Sequence, residues 1–543
     1  MADSAPTAAP SFLDSANAAL DNILAYGDTD VFPFPLEQHI IHDQRAEVLK
    51  LLSMIDQNFD QFLHEKQPPA NQSLLAPVGY TGFRWATQLD PIWNAYLLAL
   101  VISIGDDIEK QRIAVDRHVV FSYRFLRCSG DPAIFHKDVG WPEFQSRSLE
   151  LAETHDYVVV ADISDFYSRV YHHRLDNALR EATDRAEVAR RIMKFLQHFA
   201  RNNSYGLPVG GPAARLLSEL LLNRVDHLLL SKRFAFCRFA DDYHLFAKSK
   251  EEAYEALIFL TEKLLDNEGL SLQKSKSRIL GRTEFLASVR FQDETDAGEP
   301  RLSWRRFMAM KLKYDPYSPT RDADYAKLKD GVGQFDIVGM LGRELSKTRV
   351  HEALTRRLMK AIPYLEGDQR AKAVRSLIDN IEILFPLFPQ IMLLTKELFQ
   401  DLDTDLQNHV SKFLRDQIRA KTHVMRLDLN VSYALRILGQ QRSPENESLL
   451  VELFDVTRSH SVRRDIIWIM ARWGALYWIS DLKNRYSLLE AWERRAFIVA
   501  SYILRDEGSH WRDHSKKSFQ PVEDLFRTWS SALSDGKQIT IPL

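Results

Sequence analysis

Apolar positions along this chain follow two rhythms. Between residues 156 and 290 they fall in short runs. Tyr157-Val-Val-Val-Ala-Asp162 is continuously apolar up to a terminal acid, which predicts a buried central strand. Phe234 to Ala247 sets aromatic and aliphatic residues on both sides of Asp241-Asp242, which predicts a tight β-hairpin with two acids at its tip. Between these segments, Val188, Ile192, Phe195 and Phe199 recur at helical spacing over residues 184–201. The loop Gly206-Leu-Pro208-Val-Gly210-Gly211-Pro212 then opens a second apolar helix from Ala213 to about Leu230.

After about residue 340 the rhythm becomes helix after helix. Val350, Leu354, Leu358 and Ile362 form one stripe, and Leu406, Val410, Leu414 and Ile418 another. Breakers stand between such stripes at Pro363, Pro386, Pro389, Gly439, Pro444 and Gly474. Paired helices recurring at about 40 residues suggest a HEAT-like solenoid. The expected class is α+β followed by an all-α region. The expected divisions are 1–70, a partly helical extension; 71–340, the strand-bearing domain with a connector; and 341–543, the helical repeats. Residues 1–10 read as disordered and Asp293 to Pro300 as an acidic turn cluster.

Composition narrows the class. At 543 residues the chain exceeds one compact core, and 45% hydrophobic residues suffice to bury several. A formal charge of −3 argues against a coat of basic residues on nucleic acid but leaves room for a local basic groove. Cys128 and Cys237 stand alone, which excludes a disulfide framework or zinc site and fits a reducing cytosol. The best apolar stretch, Ala95 to Ile104, is far short of the ~20 residues of a spanning helix. With no Lys or Arg before Arg45, the start lacks a signal peptide's basic segment. A bacterial cytoplasmic location without membrane association is expected.

The chemistry lies in the carboxylates. A hairpin tip offers Asp241 and Asp242 to a divalent cation, and Asp162 ends a neighbouring strand. Two Mg²⁺ ions clamping the attacking and leaving oxygens of a phosphoryl transfer need ligands from two such segments, with Mn²⁺ as the alternative pair. The ordinary reading of Asp-Asp is a turn, because Asp favours such positions; the partner acid at Asp162 and the loop between give the pair its catalytic reading.

In combination these segments resemble the reverse transcriptases over roughly residues 70 to 290. Asp162-Ile-Ser-Asp-Phe-Tyr167 looks like motif A, Gly206-Leu-Pro-Val-Gly210 like motif B, and Phe239-Ala-Asp-Asp242 like motif C. Gly269-Leu-Ser-Leu-Gln-Lys274-Ser-Lys276 is similar to motif D. Val209 stands where most of the family has glutamine. With Arg215-Leu-Leu-Ser-Glu-Leu220, Phe121-Ser-Tyr-Arg124 and Asp315-Pro-Tyr-Ser-Pro319, it resembles the bacterial abortive-infection and defence-associated branch.

The resemblance implies right-hand fingers and palm and transfer of dNTPs to a growing DNA. Asp162 and Asp241 would be the metal ligands with Asp242 supporting them, and Asp165 would contact the triphosphate or sugar. Tyr167, beside Phe166, would exclude a 2′-hydroxyl, although a core tyrosine has the same look. Pro208 and Gly210 would let backbone approach the nascent pair. Lys274, with Lys276 as alternate, would serve the departing pyrophosphate, and Arg84 would hold triphosphate from the fingers; a solvated lysine is the ordinary reading of Lys274. Within the branch some members start DNA on a tyrosine of their own chain without a template, and others copy a noncoding RNA. Val209 favours the first. A helical scaffold that binds nucleic acid or a phage protein without catalysis is the third reading. Symmetric self-assembly is a further expectation.

Three features read as structural. Gly105-Asp106-Asp107 is expected to be a helix break followed by a capped helix. His172-His173 read as surface histidines. Asp28 and Asp30 read as turn formers or as residues ordering the N-terminal segment near the site.

Overall fold

The computed structural model describes residues 10–534 apart from 30, 34, 202, 292–306, 308–309, 311, 313–320 and 348. The first nine residues, Asp30, the acidic cluster 293–300 and the segment 315–319 lie outside the described residues. The chain forms two compact units, one of residues 1–73, 85–292 and 516–529, the other of 74–84, 293–515 and 530–543.

Two strands, β1 (Gln72–Val78) and β2 (Gly82–Gln88), pair with each other. The main sheet holds β3 (Tyr157–Asp162), β4 (Ala235–Phe239), β5 (Asp242–Ala247) and β6 (Arg278–Gly281), in the order β4-β5-β3-β6 and antiparallel throughout. The continuous apolar run of β3 is explained by its place between two neighbours, with Val158, Val159 and Ala161 fully buried. Phe121, Phe144, Val158, Cys237, Phe246 and Phe285 form one core cluster of this sheet, to which the helices Trp141–Thr154 and Arg282–Phe291 contribute. The helix Lys250–Lys263 packs on β3 and β5.

Two further helices take the places that their apolar spacing requires, at Ala186–Phe199 and Pro212–Ser231. Pro91–Ser103, the most apolar stretch, is buried at all 13 positions and packs against the helix Phe12–Tyr26. No single described helix is long and apolar enough to cross a membrane. The chain breaks at Ile104 and restarts as Gly105–Gln111, so Gly105-Asp106-Asp107 opens a helix; no side chain caps it.

In the second unit every described element after residue 320 is helical. Phe388–Leu398, Asp428–Leu438, His460–Arg472 and Ala491–Ala500 each pack on the next of the four, so alternate helices stack in one layer. Residues 74–84 of the β1–β2 hairpin belong to this unit: Tyr80 donates its hydroxyl to the carbonyl of Ile383 (2.8 Å) and accepts from the amide of Val350 (3.0 Å).

Candidate active site

The antiparallel register of β3 and β5 places Asp162 opposite Asp242, and the amide of Ile163 donates to the carbonyl of Asp241 (3.1 Å). Residues directly opposite on paired strands share a face. Three acids from two distant segments therefore meet at one end of the paired interior strands. Phe239 pairs with Asp242, leaving Ala240-Asp241 as a two-residue hairpin loop. Ala240 takes a positive φ of 52°, where glycine is the usual occupant, and its carbonyl accepts from Nη1 of Arg238 (2.9 Å).

The charges repel one another in a buried place. Burial, joined by the charges of Asp162 and Glu219, raises the Asp241 carboxyl above its ordinary range. Burial first, then Asp241 and Asp162, push Asp242 up to about 7. Lys276 answers them: its Nζ donates to Asp162 Oδ2 at 2.7 Å. Partial burial acts against the Lys276 charge, but the bond to Asp162 and the neighbouring acids raise its pKa overall. Lys274, the first choice from sequence, is exposed in the same turn.

Motifs A and B are tied together by backbone. The amide of Leu207 donates to the carbonyl of Tyr167 (2.8 Å), and that of Gly206 to Val170 (2.9 Å). Asp165 is exposed with φ 49° just before the short helix Phe166–Arg169, in which Phe166 is buried against the Tyr167 ring at 5.4 Å. The Tyr167 hydroxyl is held neutral by burial and is hydrogen-bonded to Ser218, with Arg215 and Asp241 acting on it electrostatically.

Gly206 and Gly210 adopt φ of 107° and 108°, which admits little but glycine. A cavity of about 310 Å³ opens beside Gly210, walled by Tyr26, Phe135, Lys137 and Arg215.

Pro208 and Val209 line a small pocket whose other wall includes Asp28. Asp28 is buried and accepts from Gln38 and Gln88, both at 2.9 Å, while its carbonyl accepts from Asn94 (3.2 Å). The N-terminal segment is thus pinned under the motif B loop. His172 corrects the surface reading: it is buried, and its Nε2 is hydrogen-bonded to the carbonyl of Gly206 at 2.8 Å, so it holds the same loop. His173 is exposed. Arg84 lies in the second unit, at an exposed position of β2.

Sequence reasoning missed the charges beneath the hairpin. Arg238 is fully buried; it donates to Asp226 through Nε (2.9 Å) and Nη2 (2.6 Å), and to Glu219 through Nη1 (3.2 Å) and Nη2 (2.9 Å). Glu219 also accepts from Arg112 and Ser122, both at 2.6 Å, and Tyr243 donates to Asp226 (3.2 Å). The helix after motif B is thereby clamped to β4, the strand that leads into the Asp241 turn. The available signal was a lone arginine inside an apolar strand.

Among the described residues no three His, Cys, Asp or Glu side chains converge into a ready-made metal cage. The all-oxygen set of Asp162, Asp241 and Asp242 still fits Mg²⁺, which is ordinarily held by one or two carboxylates and completed by substrate phosphates and water.

Residues 108–289 match the family model described as "Reverse transcriptase (RNA-dependent DNA polymerase)". This segment is a reverse transcriptase domain. It makes the protein a DNA nucleotidyltransferase, with nucleotides and nucleic acid as its reactants. No curated protein matches the chain. Among solved structures, telomerase from Candida albicans in complex with the TWJ fragment of telomeric RNA aligns at TM-score 0.29 and 11% identity, covering 77% of this chain and 70% of that one. Apo telomerase from Candida tropicalis aligns at TM-score 0.30 and 10% identity, covering 76% and 73%.

Proposed function

We propose that the domain adds dNTPs by two-metal nucleotidyl transfer, primed on a tyrosine of its own chain and without a template, in bacterial antiphage defence. The observation that carries the catalytic part is the meeting of Asp162, Asp241 and Asp242 at the end of β3 and the β4–β5 turn. A hydroxyl attacks the α-phosphate and pyrophosphate leaves. Asp162 and Asp241 would hold two Mg²⁺, which lower the pKa of the attacking hydroxyl and neutralise developing charge. Asp242 supports them, Lys276 supplies a cation and proton donor on the Asp162 side, and Tyr167 polices the sugar. The cavity beside Gly210, with Arg215 and Lys137 among aromatic walls, supports nucleotide binding next to motif B.

Untemplated synthesis is argued from Val209, which removes the amide that other family members present at motif B. Val209 lines a small pocket whose other wall includes Asp28 and Thr29 of the N-terminal segment. The defence role and a bacterial cytoplasmic location rest on the motif B resemblance, the latter also on two cysteines, one exposed and one buried, in no disulfide. The stacked alternate helices of the second unit support a HEAT-like surface, on which self-assembly is proposed. The family model's own description as RNA-dependent favours a second reading, copying of a noncoding RNA.

The test is incorporation of labelled dNTP by nuclease-treated protein with Mg²⁺ and no added primer or template. Label that migrates with the protein and is released by protease supports self-priming. Label that appears only after RNA is added overturns it in favour of the second reading.

A further inference from the structure

A cavity of about 400 Å³ lies between the helices His172–Ala182 and Pro212–Ser231, lined by none of the catalytic carboxylates. Its apolar part comes from Ala178, Ala182, Leu220 and Leu221. Its polar part is unusual. Glu268 is 3% exposed, and its Oε2 is buried with no hydrogen-bond partner. Arg174 and Arg224 also line the cavity and act on Glu268 electrostatically, yet neither is hydrogen-bonded or ion-paired among the described residues.

An unpaired buried carboxylate costs several kcal/mol, so native proteins rarely keep one without use. Burial pushes Glu268 up to about 7 even with two arginines opposing the shift. Two guanidinium groups with free donors beside such an acid make a dipolar cavity, and the alanine and leucine wall suits a flat ring.

We infer that this cavity binds a guanine nucleotide, with Glu268 accepting from the N–H edge of the base and Arg174 and Arg224 forking onto the phosphate. A carboxylate recognises guanine because the base presents two adjacent N–H donors, whereas adenine presents one donor beside an acceptor. The volume lies within the ordinary range for a small-ligand pocket, roughly 300–1,000 Å³. The site stands apart from the polymerase reaction and does not depend on how that reaction is primed.

Calorimetric titration of the full chain with guanosine 5′-monophosphate in EDTA tests this, because chelation removes metal-dependent nucleotide binding at the carboxylates. Saturable one-site binding is expected, weakened about tenfold or more by Glu268→Gln and by Arg224→Ala, unchanged by Asp241→Asn, and at least about tenfold weaker for adenosine 5′-monophosphate. Arg224 is exposed, so its variant keeps the test alive if Glu268→Gln melts at a lower temperature. No saturable binding, equal binding of both nucleotides, or loss in Asp241→Asn with retention in Arg224→Ala would overturn the assignment.

Discussion

Lys276 Nζ donates to Asp162 Oδ2 at 2.7 Å, joining the turn before β6 to the acidic end of β3. The backbone fixes this approach as well, since the amide of Gln273 donates to the carbonyl of Asp162 at 2.7 Å. Lys276, not Lys274, is therefore the lysine that meets the carboxylates. Replacing Lys276 with Ala should lower kcat by roughly 10²-fold, the low end of general acid catalysis. Lys274→Ala should change it little. Steady-state dNTP incorporation by the two variants compares them directly; equal losses would sink the assignment. The side chain of Lys276 is 62% exposed, so its ion pair adds little to stability and neither variant should shift Tm appreciably.

Asp242 makes the metal-free protein sensitive to pH. A carboxyl raised from 3.8 to about 7 favours the fold most below 3.8, and that contribution is lost as pH rises through about 7. In EDTA the wild type should lose stability across this window relative to Asp242→Asn. Adding Mg²⁺ near pH 6 should release protons from the wild type, read as a dependence of calorimetric heat on buffer ionisation enthalpy. Parallel Tm–pH curves for the two proteins would contradict the shift.

Arg238 neutralises two buried acids at once. Arg238→Met leaves Glu219 and Asp226 without it and should cost about 3–5 kcal/mol. Arg238→Lys should rescue little, because one ammonium cannot replace forked bonds to both carboxylates and the Ala240 carbonyl. Thermal melting reads the outcome; a methionine variant as stable as wild type would show that the network is dispensable.

Tyr167 should govern sugar choice. Tyr167→Ala is expected to raise incorporation of NTPs relative to dNTPs by about tenfold or more, whereas a merely structural tyrosine would lower both together. The ratio of kcat/KM for the two nucleotide classes separates these outcomes.

The parts of the fold that depend on chain-local rhythm were legible. The apolar run ending at Asp162, the hairpin around Asp241 and the helices on either side of the Gly/Pro loop all follow from periodicity and turn chemistry. What escaped depends on contacts between distant segments. Arg238 and Glu219 are ordinary polar letters until folding buries them together. His172 read as a surface residue because nothing near it in sequence shows its partner, the Gly206 carbonyl 34 residues away. The choice between Lys274 and Lys276 turned on how one loop lies against β3, which spacing alone does not set. Asp28 was read both as a turn former and as an organiser near the site, and its bonds to Gln38 and Gln88 with its place beside Val209 favour the second.

The most direct test of the central claim is Mg²⁺-dependent incorporation of labelled dNTP by wild type beside Asp241→Ala, supplied with every candidate primer and template. Activity is expected in the wild type and a loss of roughly 10³-fold or more in the variant, the several kcal/mol that metal-held charge supplies, with the fold intact by circular dichroism. Full incorporation by a folded Asp241→Ala protein would contradict it.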